Sequence, residues 1–243
     1  MGPPEANGGP TARRYASCVV SLLLLVRHAL TEATGKRLTG WEPGVHLSSK
    51  GERQAEALAE RLAPLPIAAI YSSPLERCRE TARPFASHAR LSVRAKPALG
   101  ELRFGDWTGR SLRQLSRTKL WSVVQTTPSL ARFPDGESIP EAQARAVREV
   151  ERIAATHPKE IVAVFSHADV IKLVLAWFTG MHVDLFQRLS VSTASVSAVA
   201  LGSGPPRILC VNETGDLGEL TGPARAPAPA SAGRRRRPPK LRG

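Results

Sequence analysis

The sequence predicts a layered α/β fold with a largely parallel sheet, on three observations. Short apolar runs rich in Val, Ile and Leu occur at 18–26, 67–73 and 160–166. Stretches with helical periodicity lie between and after them, at 49–63, from Pro74 to about His88, and from about Asp169 to Thr179. The runs are nearly continuous rather than alternating, as expected of strands buried on both faces. Strands that alternate with helices in this way build a sheet covered by helices.

In chain order, residues 1–17 are rich in Pro, Gly and Ala without any period, so a disordered extension is expected there. Two arginines then precede an apolar run, which is also how a secretory signal begins. No small-residue cleavage site follows, and the run passes directly into RHALTEAT, so a buried first strand over 18–26 is the expectation. Ser49, with Glu52 three residues on, predicts a capping box that opens the helix 49–63. IAAIYSS at 67–73 is a second strand, and Pro74 suits the first position of the next helix. LSVRAK at 91–96 alternates as a third strand. A loop with Gly105 and Gly109 leads into irregular or helical segments as far as Pro134, and a helix spans 139–156 with Pro140 near its start. The strand at 160–166 and its helix follow, then two late strands near 189–201 and 206–212. From Gly222 the chain is Pro, Ala and Arg, a composition that forms no core. One domain over 18–221, flanked by disordered extensions at 1–17 and 222–243, is therefore expected.

Composition narrows the function classes. No apolar run is long enough to span a bilayer, so no membrane partner is expected. Cys18, Cys78 and Cys210 are odd in number and far apart, which excludes a disulfide scaffold and suits a reducing cytoplasm. His167 with Asp169, and His182 near Asp184, are the only hints of metal ligation, without HExxH or a cysteine pair, so no metal is expected. His46, His88, His157 and His182 read as ordinary structural or surface histidines. The formal charge of +13 comes partly from the tail block GRRRRPPKLRG. That block lacks interleaved aromatics, so nucleic acid is not the expected partner, and deleting 223–243 should leave turnover intact.

In parallel sheets, chemistry collects beyond the carboxyl ends of the strands. Arg27 and His28 follow the first strand, Arg77 lies in the helix after the second, Glu101 in the loop after the third, and His167 follows the strand at 160–166. Two guanidiniums can grip phosphoryl oxygens through paired hydrogen bonds. One neutral imidazole can displace the leaving oxygen and become phosphohistidine, while a second donates to the phosphoryl group. A carboxyl group can protonate the leaving oxygen and later accept a proton from water. Backbone N–H groups at the helix start after His167, beginning at Ala168, add donors for an anion. The scheme needs no cofactor.

RHALTEAT, YSSPLERCRETA, LGELRFGDWTG and VFSHADVIK together resemble the histidine phosphatase, or phosphoglycerate mutase-like, superfamily, and TGWEPGVHLSSKGERQAEAL resembles its intervening stretch. The resemblance runs from about residue 19 to 212. It implies a three-layer α/β/α sandwich with a mixed, largely parallel sheet. By the same resemblance His28 matches the phosphorylated histidine, Arg27 and Arg77 the phosphate-binding arginines, Glu101 the proton donor and His167 the second pocket histidine. Thr34 falls where the family often has asparagine, and Thr39 falls in a segment that can contact substrate. Ala29 departs from the usual glycine after the nucleophile, a feature shared with a subgroup of probable phosphomutases from high-GC bacteria. If that position needs positive φ, the methyl costs roughly 1–2 kcal/mol; otherwise it can narrow the pocket.

The expected activity is hydrolysis of a small phosphorylated metabolite in the cytoplasm, because the segment from Glu101 to His167 is short for the full lid of a mutase. A mutase is the alternative, and the resemblance allows a homodimer. A weakly active protein that only senses a phosphorylated ligand is a third reading, supported by Ala29 alone.

Overall fold

The computed structural model describes residues 20–217 and Leu220. The extensions expected at 1–17 and 222–243, together with Cys18, lie outside the described residues.

β1 (Val20–Arg27), β2 (Ile67–Ser72), β3 (Val93–Ala95), β4 (Ile161–Ser166), β5 (Val196–Gly202) and β6 (Arg207–Glu213) form one sheet in the order β3-β2-β4-β1-β5-β6. β3, β2, β4 and β1 are mutually parallel, and β5 and β6 add an antiparallel edge. The helices are α1 (Ser49–Leu62), α2 (Glu76–Ala89), α3 (Leu112–Leu115), α4 (Lys119–Thr126), α5 (Ile139–Thr156) and α6 (Ala168–Phe178).

The pleat of β1 divides the core in two. Leu24 and Val26 face α1 and α2 with Leu58, Leu62, Cys78 and Phe85. Leu23 and Leu25 face α5 and α6 with Val147, Val150, Ile171 and Leu175. Both sheet faces are thus covered, which explains why the strands read as continuous apolar runs.

Two helix starts and one strand start correct expectations. The cap of α1 is Ser48 rather than Ser49: its side chain accepts from the Gly51 N–H, so Ser49 is already helical and Glu52 closes no box. Pro74 precedes the cap residue Leu75 and lies outside α2, because Ser73 Oγ accepts the Leu75 N–H in the turn between strand and helix. β5 begins at Val196, not near 189, since 183–188 form a 3-10 segment and Ser195 N–H is taken by Ser192 in a turn. By contrast α5 carries a full capping box, Ser138 with Glu141, beside the expected Pro140.

Register sets the site. β1 pairs with β4 so that Arg27 lies opposite Ser166, and His28 N–H donates to Ser166 O at 2.9 Å. His28 and His167 therefore leave adjacent strand ends. Ser73 N–H donates to Phe165 O at 2.9 Å, which brings the β2 end, and with it α2, alongside. The loop after His28 is held by a close approach: a Cβ at Gly51 would stand 2.0 Å from Leu30 O. That carbonyl also accepts the N–H and hydroxyl of Ser48.

Candidate active site

His28 is buried, and its Nδ1 lies 2.8 Å from Ala29 O. A carbonyl can only accept, so Nδ1 carries the proton and Nε2 keeps its lone pair. Burial first, then the charges of Arg77 and Arg27, push the His28 pKa down to about 3, so the ring is neutral near pH 7. The His28 and His167 rings meet edge-on with centroids 5.2 Å apart.

His167 is fully buried. Its Nε2 lies 2.8 Å from Ser73 Oγ, and its Nδ1 lies 3.4 Å from Arg77 Nη2 and 3.7 Å from a Glu101 oxygen. Because Arg77 can only donate, Nδ1 accepts and Nε2–H points to Ser73. Burial, with Arg77 next in importance, holds this imidazole well below its ordinary pKa.

Arg77 sits in the first turn of α2, 1% exposed, and Nη2 donates to Gly40 O at 2.9 Å. Arg27 Nη1 donates to Val191 O at 2.6 Å. Arg77 Nη1 and Arg27 Nε are buried and have no hydrogen-bond partner among the described residues. Buried donors are rarely left unpaired, and each orphan costs on the order of 1–3 kcal/mol. Two cationic orphans beside a neutral imidazole make a place for an anion.

The Glu101 side chain is 15% exposed, and its pKa rises to about 7, through burial first and the Asp169 charge second, against the pull of Arg77 and Arg27. Its backbone is fixed from three directions. Trp41 Nε1 and Arg145 Nη2 donate to Glu101 O at 2.6 and 3.0 Å, and Ser166 Oγ donates to Leu99 O at 2.7 Å. Arg145 also pairs with both oxygens of Glu137 and binds the carbonyls of Ala98 and Gly100. Gly105, at φ +52°, lets this loop turn against Pro134, whose oxygen would be 1.9 Å from a Cβ.

These groups open onto a cavity of about 310 Å³ lined by Arg27, His28, Thr34, Thr39, Glu101 and Ala168 among others. Of the groups above, Arg77 and His167 do not line it and are buried at 1% and 0% exposure. Ala168 opens α6, whose first-turn N–H groups lack intrahelical acceptors. The Thr34 hydroxyl is engaged with Thr31, 2.9 Å from Oγ1 and 3.1 Å from the N–H, so it braces the loop as well as facing the cavity. Ala29 neither lines the cavity nor has positive φ; its methyl is fully buried on the α1–α2 side of the sheet.

The arrangement offers a neutral nucleophilic nitrogen, two unpaired guanidinium donors and a carboxyl group able to exchange a proton near neutral pH. A family comparison decides what this constellation belongs to: residues 23–214 match the model of the histidine phosphatase superfamily, branch 1. The chain belongs to the histidine phosphatase superfamily. Relatives of this histidine phosphatase include phosphoserine phosphatase 1 of Hydrogenobacter thermophilus, 28% identical over 82% of this chain and 95% of that protein. A probable phosphoglycerate mutase, GpmB, of Cronobacter sakazakii is 30% identical over the same shares of the two chains. Among solved structures, YhfR of Bacillus stearothermophilus superposes with a TM-score of 0.76 at 26% identity, covering 80% of this chain and 98% of that one. The three-layer α/β/α sandwich and the enzyme class expected from the sequence are borne out.

Sequence reasoning missed Ser73, Thr81 and Arg145, and named Asp169 only as a weak metal hint rather than as a charge beside Glu101. Thr81 Oγ1 accepts the Ala29 N–H at 2.9 Å and donates to Arg77 O at 2.6 Å, tying the His28 loop to α2. Ser73 had a local signal, a polar pair closing a buried strand, whereas Arg145 had none beyond a charge on a helix. Among the described residues no group of three His, Cys, Asp or Glu side chains is placed to hold a metal, and no helix is long and apolar enough to cross a membrane.

Proposed function

We propose that this histidine phosphatase hydrolyses a small phosphomonoester through phosphohistidine at His28 Nε2. The observation that carries the reading is the pair of unpartnered, buried guanidinium donors on Arg27 and Arg77 beside a neutral imidazole. Their free N–H groups would take two peripheral phosphoryl oxygens, and Ala168 N–H would add a donor at the helix start.

In the first step the Nε2 lone pair forms the N–P bond as the ester P–O bond breaks. The protonated Glu101 carboxyl gives its proton to the departing alkoxide oxygen. In the second step Glu101, now carboxylate, takes a proton from water, whose oxygen forms a new P–O bond. The N–P bond then breaks, Nε2 recovers its lone pair, and inorganic phosphate leaves. His167, held by Ser73 and set edge-on to the His28 ring, would keep a neutral neighbour beside the nucleophile and hold it in place. Thr34 and Thr39 contact the alcohol portion. The separated, free Cys78 and Cys210 support a cytoplasmic setting.

Rapid quenching into alkaline denaturant, in which an N–P bond survives, after mixing with a ³²P-labelled phosphomonoester tests this. Wild type should accumulate an acid-labile phosphoenzyme and release phosphate, and His28→Ala should do neither. Label retained in His28→Ala would refute the assignment. A mutase would instead move labelled phosphate between two substrate hydroxyls with little free phosphate.

A further inference from the structure

The cavity lining divides by chemistry. His28, Arg27 and Glu101 supply its reactive groups, and Leu102, Phe104, Trp107 and Phe133, with Trp121 and Val124 contributed by α4, supply a large apolar share. Leu102, Phe104, Trp107 and Phe133 are each at most 4% exposed, so they present a dry apolar surface to the space between them. Trp107 and Trp121 stack with centroids 6.2 Å apart, which fixes the aromatic wall.

The charges at the walls point the same way. Apart from Arg27, the cation lining the cavity is Arg37, and it is paired with Glu42. Asp169 also lines the cavity, held by Lys172 Nζ at 3.1 Å. A carboxylate on the alcohol half of a substrate would meet Asp169 and Glu101 and, beyond Arg27, would find the lining cation Arg37 already paired with Glu42. Desolvating such a group without a counter-ion is costly. An apolar group of matching size would be favoured against Leu102, Phe104, Trp107, Trp121, Val124 and Phe133. A dry cavity of roughly 150 Å³ lined by Leu, Ile and Phe already accepts a benzene ring, and the present cavity, about 310 Å³, has room for a phosphoryl group as well.

We infer that this enzyme selects phosphomonoesters whose alcohol is an uncharged alkyl or aryl group of about six carbons, and that Trp121 and Val124 set the preference. The inference rests on the phosphomonoesterase reading above. It separates this chain from relatives whose names specify phosphoserine or phosphoglycerate, esters that carry a carboxylate.

Unbranched primary alkyl phosphates from methyl to hexyl, compared with O-phosphoserine and glycerol 3-phosphate, provide the test, because their leaving groups are all primary alkoxides. kcat/KM is expected to rise about fourfold per methylene, the increment for burying one, and hexyl phosphate should exceed O-phosphoserine by at least a hundredfold. Trp121→Ala should cut the hexyl-to-methyl ratio at least tenfold, with Trp121→Phe keeping most of it. Val124→Thr, which preserves volume but sets a hydroxyl in the wall, should lower the same ratio. A flat series, or faster turnover of O-phosphoserine, would overturn this inference while leaving phosphomonoester hydrolysis intact. No turnover of any ester, with no phosphoenzyme on alkaline quench, would overturn both.

Discussion

His28 Nδ1 lies 2.8 Å from the carbonyl oxygen of Ala29, its own neighbour in sequence. This single contact fixes the imidazole tautomer and leaves Nε2 as the basic nitrogen, without a carboxylate in that role. The carbonyl raises the pKa of the ring less than a carboxylate would, and burial first, then Arg77 and Arg27, keep the ring neutral. The proton chemistry then falls to Glu101, whose pKa is raised to about 7.

The pH dependence of kcat/KM follows from those two groups. The first step needs neutral His28 and protonated Glu101, so the rate requires a pH above about 3 and falls as pH rises past about 7. The alkaline limb should approach a tenfold loss per pH unit. In Glu101→Gln the limb attributable to this group should vanish, with activity at pH 6 lowered by about 10²- to 10³-fold. An unchanged limb in Glu101→Gln would assign it to another group.

Stability should carry the signature of His28 in acid. Its folded pKa, about 3, lies below the ordinary value of 6.5, so the unfolded chain binds the extra proton. The stability this group contributes is complete above pH 6.5 and is lost as pH falls from 6.5 towards 3. Glu101 acts in the opposite sense: its raised pKa contributes stability below about 4.5 that is lost as pH rises through 7. Replacing His28 isolates its share. In His28→Gln the slope of unfolding free energy between pH 6 and 4 should be lower than in wild type by about 1.4 kcal/mol per pH unit. Denaturant titrations across that range measure it, and parallel slopes would contradict the assignment.

Much of this was legible in the sequence because strand ends are marked by abrupt loss of apolar character. Arg27, His28 and His167 stand directly after buried runs, and the parallel pairing of β1 with β4 brings them together. Glu101 was legible as a loop carboxylate between two elements. Its environment was not, since Arg145 and Trp41 reach it from 44 and 60 residues away in sequence. The caps were misread by one residue where two serines adjoin, because Ser48 and Ser49 are chemically equal and only the fold decides which precedes the first turn. The apolar wall was hidden for a different reason: Trp121 and Val124 sit on a short helix whose pattern does not reveal which face meets a cavity.

Thr81 ties two parts of the site together, and its removal should be felt in both. Thr81→Val keeps the volume but removes the acceptor for Ala29 N–H and the donor to Arg77 O. Leaving that buried N–H unpaired costs about 1–3 kcal/mol. The displaced His28 loop should lower kcat/KM about tenfold. Thr81→Ser, which restores the hydroxyl, should recover most of the activity while retaining some loss of stability from the missing methyl. Equal loss in Val and Ser variants would mean that Thr81 contributes by packing alone.

Ala29 is the family departure that placed the rate of this enzyme in question, and its surroundings remove both grounds for concern. With φ not positive, the backbone there asks for no glycine, and the methyl is fully buried against the α1–α2 layer rather than in the cavity. The side chain fills space next to the loop that carries His28, so restoring glycine would take packing away and add freedom to the unfolded chain. Ala29→Gly should therefore lower stability by about 1 kcal/mol and bring no gain in kcat. Thermal denaturation and steady-state turnover on one phosphomonoester measure the two effects on the same preparation. A variant that turned over faster than wild type would show that the methyl restrains His28, and that the chain had exchanged speed for stability at this position.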